Sequence, residues 1–219
     1  MKAALIDLDG TLLDTAPDLA AAANATLREL GLPEIAPAAV GDYVGKGIAH
    51  LMKKSLEAAL GRAPEPALFE RAQSVFAGHY ERVNGAAARP FPGVVEGLEA
   101  MRAHALKLAC VTNKVARFTQ PLLAKTRLHC YFDAVVTSDI AGARKPDPAV
   151  FLYACRALGV APFEAGVIGD SDNDGEAARA AGCRFLLVPY GYREGKPIGE
   201  VKNDGVVDSL LDALRLLRD

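Results

Sequence analysis

The residues of this 219-residue chain best placed to do chemistry are carboxylates, gathered with a few hydroxyl, amide and amine groups into four short clusters. They are Asp7-Leu8-Asp9-Gly10-Thr11, Thr112-Asn113-Lys114, Arg144-Lys145-Pro146-Asp147-Pro148 and Gly169-Asp170-Ser171-Asp172-Asn173-Asp174. If folding brings Asp7, Asp9, Asp170 and Asp174 together, up to four negative charges share one cleft. That repulsion is expensive unless a cation sits among them. Ligands that are all oxygen suit a hard ion that keeps part of its water, which favours Mg²⁺. A divalent ion beside Lys145 fits a phosphate group, whose oxygens the two would neutralise. Thr112, Asn113 and the backbone N–H groups around Gly10 and Thr11 would hold those oxygens. Asp7 could then attack phosphorus in line. Asp9, two residues on in an extended segment, points along the same side. It would protonate the leaving oxygen and later deprotonate a hydrolytic water.

Each cluster alone has a plainer explanation: a surface loop, a helix cap, a turn with a solvated lysine. Their joint order decides otherwise, because each is expected at or shortly after the end of a strand. Residues 3–8 form a short apolar run interrupted by Asp7 and stopped by Gly10, as suits a buried strand. Residues 15–83 read as helices only. Thr15 is placed to cap the first helix and Pro17 suits its first turn. Leu19, Ala23, Leu27 and Leu30 make its apolar stripe, and Gly31 ends it. Further helices are expected from Ile48 to Leu60 and from about Ala67 to Val83. From residue 94 on, helix-like and strand-like segments alternate. Strands are expected over 106–111, 134–137, 165–168 and 185–188, and helices over 94–104, up to 125, 149–158, about 176–181 and 209–217. That alternation predicts an α/β fold, a doubly wound parallel-sheet (Rossmann-like) core with helices on both faces. The helical segment is then an insert after the first strand, giving a core of 1–14 and 84–219 and a helical cap of 15–83. In such a sheet ligands bind beyond the carboxyl ends of the strands, where the four clusters would converge.

Composition narrows the classes. Lys plus Arg is 25 and Asp plus Glu is 27, a formal net charge of −2, so no overall positive field is present to hold nucleic acid or an anionic membrane. No apolar run approaches the roughly 20 residues that span a bilayer, and the start of the chain has no secretory pattern. The four cysteines, Cys110, Cys130, Cys155 and Cys183, form no CxxC pair, which predicts reduced thiols in a cytoplasmic protein. The four histidines lack metal-ligand spacing.

The same residues resemble the haloacid dehalogenase superfamily of phosphohydrolases over nearly the whole chain. DLDGTLLDT at 7–15, Thr112-Asn113, Lys145 and GDSDND at 169–174 look like its four signatures, and 15–83 matches its four-helix cap. The resemblance implies Asp7 as a nucleophile forming an aspartyl-phosphate. It implies Asp9 as general acid/base, with its backbone carbonyl on Mg²⁺. Thr112 and Lys145 bind the phosphoryl group, Asp170 ligates the metal, and Asp174 is a direct or outlying metal carboxylate. The stretches DTAPDLAAAANATL, VGKGIAHLM, VTNKVARFTQPLL, FPGVVEGLEAM and LVPYGY resemble the phosphoglycolate phosphatases within that superfamily. On that resemblance Gly45-Lys46-Gly47 forms a specificity loop, with Lys46 meeting a substrate carboxylate. The expected partner is a small-molecule phosphate ester, most simply 2-phosphoglycolate, handled by a monomer or homodimer. KPDP in place of KPHP, and Asp172, depart from that pattern.

Rivals remain. A phosphomutase like β-phosphoglucomutase, or a broad-specificity or pyrophosphate phosphatase, would share the catalytic residues. A calcium-binding module at 170–175 would need a Glu at its twelfth position, where Ala181 stands.

Overall fold

The computed structural model describes residues 1–218. Strand β1 (Ala3–Ile6) is buried at every position and lies at the centre of a five-stranded sheet. Beside it run β4 (Lys107–Thr112) and β6 (Ala165–Gly169), and outside these β5 (Ala134–Thr137) and β7 (Arg184–Leu187), in the order β5-β4-β1-β6-β7. All four pairings are parallel. Register brings Ile6 level with Cys110 on one side and Ile168 on the other. The chain thus crosses from one side of β1 to the other, and the crevice at that reversal lies between β1, β4 and β6.

The two-residue period of the strands divides the core into two layers. Ala4, Ile6, Leu108, Cys110 and Ile168 face one cluster, built with α5 (Val94–Ala103), α6 (Ala116–Lys125) and α10 (Leu210–Arg218). Ala3, Leu5, Ala109, Val111 and Val167 face the other, built with α8 (Ala149–Leu158) and α9 (Asp172–Ala181). A short α7 (Ser138–Ala141) follows β5.

Between the first strand and the rest lie α1 (Ala16–Glu29), α2 (Pro37–Gly41), α3 (Ile48–Leu60) and α4 (Pro66–Val83). Their apolar faces meet in a third cluster around Leu27, Met52, Leu56, Phe76 and Tyr80, and Phe118 of α6 reaches into it. Where the chain leaves and re-enters the sheet region, β2 (Leu13–Asp14) pairs antiparallel with β3 (Arg89–Pro90). Buried Asp18 accepts three backbone N–H groups, from Gly85 (2.8 Å), Ala87 (2.7 Å) and Ala88 (3.1 Å), and so laces α1 to the returning strand. Asn84 Nδ2 donates to the Phe118 carbonyl (2.8 Å), and Lys125 Nζ to the Asn84 carbonyl (2.5 Å).

Several expectations shift. The first strand ends at Ile6 rather than residue 8. Thr15 stands at the N-cap of α1, but its hydroxyl makes no capping bond and goes to Asp9. The Tyr192 phenol caps instead, accepting from the N–H groups of Thr15 (2.9 Å) and Ala16 (3.0 Å) and donating to Asp14 Oδ1 (2.5 Å). The 170–174 cluster is not a polar turn before a helix at 176, because α9 begins at Asp172 and Ser171 with Asp174 forms a capping box. This strand-to-helix junction is not the loop between two helices that a calcium module requires.

Candidate active site

Three sheet ends deliver the key groups. Asp7 follows β1, Thr112 closes β4 and Asp170 follows β6. Lys145 arrives on the loop before α8, and Asp174 from the first turn of α9. Asp7, Asp170 and Asp174 are all buried and offer oxygens within 4.8 Å of one another. At that distance and an effective dielectric near 20, each pair of like charges repels by about 3 kcal/mol or more.

One ammonium answers two of them. Lys145 Nζ donates to Asp7 Oδ1 (2.5 Å), Asp174 Oδ1 (2.7 Å) and the Val111 carbonyl (3.1 Å), which uses its three protons. The second oxygen of Asp174 accepts from the Ser171 hydroxyl (2.7 Å) and amide (3.2 Å). Asp170 Oδ2 accepts from the Tyr192 N–H (2.5 Å). Burial is the main force on these groups. It pushes the Asp7 carboxyl up to about 7, with Lys145 opposing and Asp174 adding to the rise. Burial and the Asp7 charge also hold Asp170 well above the usual carboxylate range. Burial alone would lower Lys145, yet Asp174 and Asp7 outweigh it and keep the ammonium protonated.

The acidic group is packed closely by glycines. Gly10 adopts φ +93°, and a Cβ there would stand 2.1 Å from Asp170 Oδ2. A Cβ on Gly169 would meet Asp174 Cγ at 2.4 Å, and one on Gly191 would meet Asp170 Cβ at 2.3 Å. A side chain at any of the three would displace a carboxylate.

Asp9 stands apart from this group. Expected as one of four carboxylates gathered together, its Oδ1 instead accepts from Lys114 Nζ (2.5 Å) and Thr15 Oγ1 (2.6 Å). The segment after β1 is a turn, with the Leu12 and Leu13 N–H groups both donating to the Leu8 carbonyl, so the side chains of Asp7 and Asp9 do not share one face of a strand. Both nevertheless line one cavity of about 240 Å³ between the sheet ends and the helical insert. Burial would lower Lys114, but Asp9 and Tyr80 hold it above its ordinary range.

Other expected groups are placed differently. Thr112 lines the cavity, with its hydroxyl oxygen accepting the Lys114 N–H (3.1 Å) and its proton free to donate. Asn113 also lines it, but its amide is already used. Nδ2 donates to the carbonyls of Gly45 (2.9 Å) and Lys145 (3.1 Å), and Oδ1 accepts the Lys145 N–H (2.8 Å). Asn113 therefore clips the insert and the Lys145 loop to β4 rather than offering its side chain to a phosphate. The Gly10 N–H, expected as an anion donor, goes to the Leu13 carbonyl (2.9 Å). Thr11 is fully buried, outside the cavity lining. Gly45 and Gly47 line the cavity, but Lys46 does not. Its ammonium pairs with Glu194 (2.5 Å), which His50 also approaches (3.2 Å).

The sequence clusters did not assign a role to Lys114, although it follows Thr112-Asn113 directly. Nor did they single out Tyr192, which is 22 residues from Asp170 and has no local signal. Three cysteines are buried, Cys130 is exposed and all are free. Among the described residues no helix is long and apolar enough to cross a membrane.

Residues 4–188 match the family of haloacid dehalogenase-like hydrolases. The chain is 48% identical to a phosphoglycolate phosphatase of Thiobacillus denitrificans, covering 97% of this chain and 94% of the relative. It is 47% identical to one of Nitrosospira multiformis, over 100% and 96%. Among solved structures, that of a predicted phosphoglycolate phosphatase from Haemophilus somnus superposes with a TM-score of 0.92 at 32% identity, covering 99% of this chain and 97% of that one.

Proposed function

The chain belongs to the haloacid dehalogenase-like hydrolase family, and we propose that it is a Mg²⁺-dependent phosphatase releasing glycolate and phosphate from 2-phosphoglycolate. The reading rests on one observation above all: three buried carboxylates converge beside a small cavity, with a single ammonium bonded to two of them. With all groups ionised, three negative charges against one positive leave an excess of two. That donor set, all oxygen and doubly negative, fits a divalent hard cation. Asp7, Asp170 and the Asp9 backbone carbonyl are assigned to hold it. Asp174, with both oxygens already accepting protons, is assigned to orient Lys145 and complete the negative field. When bound, the ion offsets the charge of the phosphoryl oxygens as they approach Asp7.

The protein groups then divide the reaction. Lys145 holds Asp7 Oδ1, leaving the other oxygen to attack phosphorus while the ester P–O bond breaks. The Thr112 hydroxyl donates to a phosphoryl oxygen. Asp9 gives its proton to the departing alkoxide, then takes one from the water that attacks the aspartyl-phosphate, and phosphate leaves. Lys114 and Thr15 hold Asp9 at Oδ1 and leave its second oxygen open for this exchange. Residues 15–83 act as a cap over the core of 1–14 and 84–219, excluding bulk water during the first step.

A cavity of about 240 Å³ suits a compact ester. The names of relatives 47–48% identical over nearly their full length support 2-phosphoglycolate. The test is phosphate release from a panel of esters after chelation, with and without added Mg²⁺. The expected result is Mg²⁺-dependent release with the highest kcat/KM on 2-phosphoglycolate, and none from Asp7→Asn. Release undiminished by chelation would overturn the metal assignment. Conversion of glucose 1-phosphate to glucose 6-phosphate without free phosphate would transfer the chain to the mutases.

A further inference from the structure

Lys46 does not line this cavity and is paired with Glu194, so a carboxylate-bearing substrate needs another cation. Four basic side chains line the cavity: Lys114, Arg117, Arg144 and Lys145. Lys145 is fully engaged by Asp7, Asp174 and the Val111 carbonyl. Lys114 is paired with Asp9 at 2.5 Å. Arg117 lies over the Phe118 ring, 4.5 Å from its centre, in the first turn of α6. Arg144 alone among the four has neither a carboxylate partner nor an aromatic one among the described residues, and it directly precedes Lys145 in the chain.

The loop at 45–47 of the insert lies against this guanidinium. A Cβ on Gly47 would lie 3.4 Å from Arg144 Nη1, and Gly47 adopts φ +87°. The Gly45 carbonyl is fastened by Asn113, which also fastens both backbone groups of Lys145. One amide side chain therefore sets the distance between the loop at 45–47 and the Arg144-Lys145 pair. From this geometry we propose that Arg144 is the residue that receives the substrate's carboxylate. This deepens the phosphoglycolate reading and rests on it. In 2-phosphoglycolate a single methylene separates the ester oxygen from the carboxyl carbon, so the second anionic group must be met close to the phosphoryl site. Arg144, which lines the same cavity as Asp7 and Thr112, is placed to meet that requirement. A planar guanidinium can take both carboxylate oxygens at once, which an ammonium cannot.

The experiment compares kcat/KM for 2-phosphoglycolate and ethyl phosphate, which lacks only the carboxylate, in the full chain with Mg²⁺. The wild type is expected to prefer 2-phosphoglycolate. Arg144→Gln should reduce that preference on the order of 100-fold, mostly through KM. Arg144→Lys should restore part of it, whereas Lys46→Ala and Arg117→Gln should leave the ratio near that of the wild type. A wild-type preference that survives in Arg144→Gln, or that collapses in Arg117→Gln or Lys46→Ala instead, overturns the Arg144 assignment and leaves the phosphoglycolate reading standing. Equal wild-type rates on the two esters overturn that reading and the Arg144 assignment with it.

Discussion

Asp7→Asn removes one of three crowded charges yet keeps an oxygen able to accept from Lys145 Nζ. In the metal-free wild type, burial pushes the Asp7 carboxyl from 3.8 up to about 7. A carboxyl with a higher pKa folded than unfolded binds its proton more tightly in the native state. Stability is then lost as pH rises from near 4 to near 7, and the loss is complete above that window. The gap between 3.8 and about 7, at about 1.36 kcal/mol per pH step, amounts to roughly 4 kcal/mol. This is an upper bound, since the neighbouring buried Asp170 shares the same protons. Without metal, Asp7→Asn should therefore match the wild type near pH 4 and exceed it near pH 8. At about 2–4 °C per kcal/mol for a chain of this size, the difference near pH 8 reaches roughly 10 °C. Millimolar Mg²⁺ should raise the wild-type Tm near pH 8 and raise the variant's much less. Thermal unfolding followed by circular dichroism, in EDTA and then in Mg²⁺, reads all of this. A variant that melts at or below the wild type near pH 8 in EDTA would refute the claim that holding an ionised Asp7 buried in this cluster carries a net cost.

Lys145→Met leaves three buried carboxylates with no ammonium, and should cost about 3–5 kcal/mol near neutral pH. Denaturant titration should show the deficit shrinking as acid protonates the cluster. Gly10→Ala forces a Cβ onto Asp170 Oδ2 at a positive φ, so calorimetry should find Mg²⁺ binding weakened at least tenfold even where the fold survives. Tyr192→Phe retains the ring and the N–H on Asp170 but uncaps α1. It should cost about 1 kcal/mol, and amide hydrogen exchange should accelerate at Thr15 and Ala16 while the β-sheet amides are unchanged.

Much of this architecture could be read from residue order, for physical reasons. Helices α3 and α8 and strand β5 emerge with their expected bounds because glycines end the helices and the strand is a short apolar run. The convergence of Asp7, Thr112 and Asp170 follows from strand polarity, since each sits at the carboxyl end of a parallel strand. What escaped was contact across sequence. Lys114 meets Asp9 across 105 residues, and Tyr192 reaches Thr15 across 177. The pairs β2 and β3, and the helices α2 and α7, are too short to show a period. The role given to Lys46 came from the resemblance, and its pairing with Glu194, 148 residues away, leaves no local sign in the sequence.

Several ties between the helical insert and the sheet region share a trait. Asn113 holds the carbonyl of Gly45. Asp18 gathers the N–H groups of residues 85, 87 and 88, and the Tyr192 phenol those of 15 and 16. In each, one member is a peptide group that every amino acid except, for the N–H, proline can supply. The Thr15 hydroxyl on Asp9 and the Lys46 and His50 pairings with Glu194 are exceptions, written in side chains on both sides. Descendants of such a chain could therefore rewrite the helices above the cleft, and with them the choice of molecule admitted, while keeping the same moorings. A lineage that diversifies its diet by exchanging one part of the protein would need anchorage of this indifferent kind.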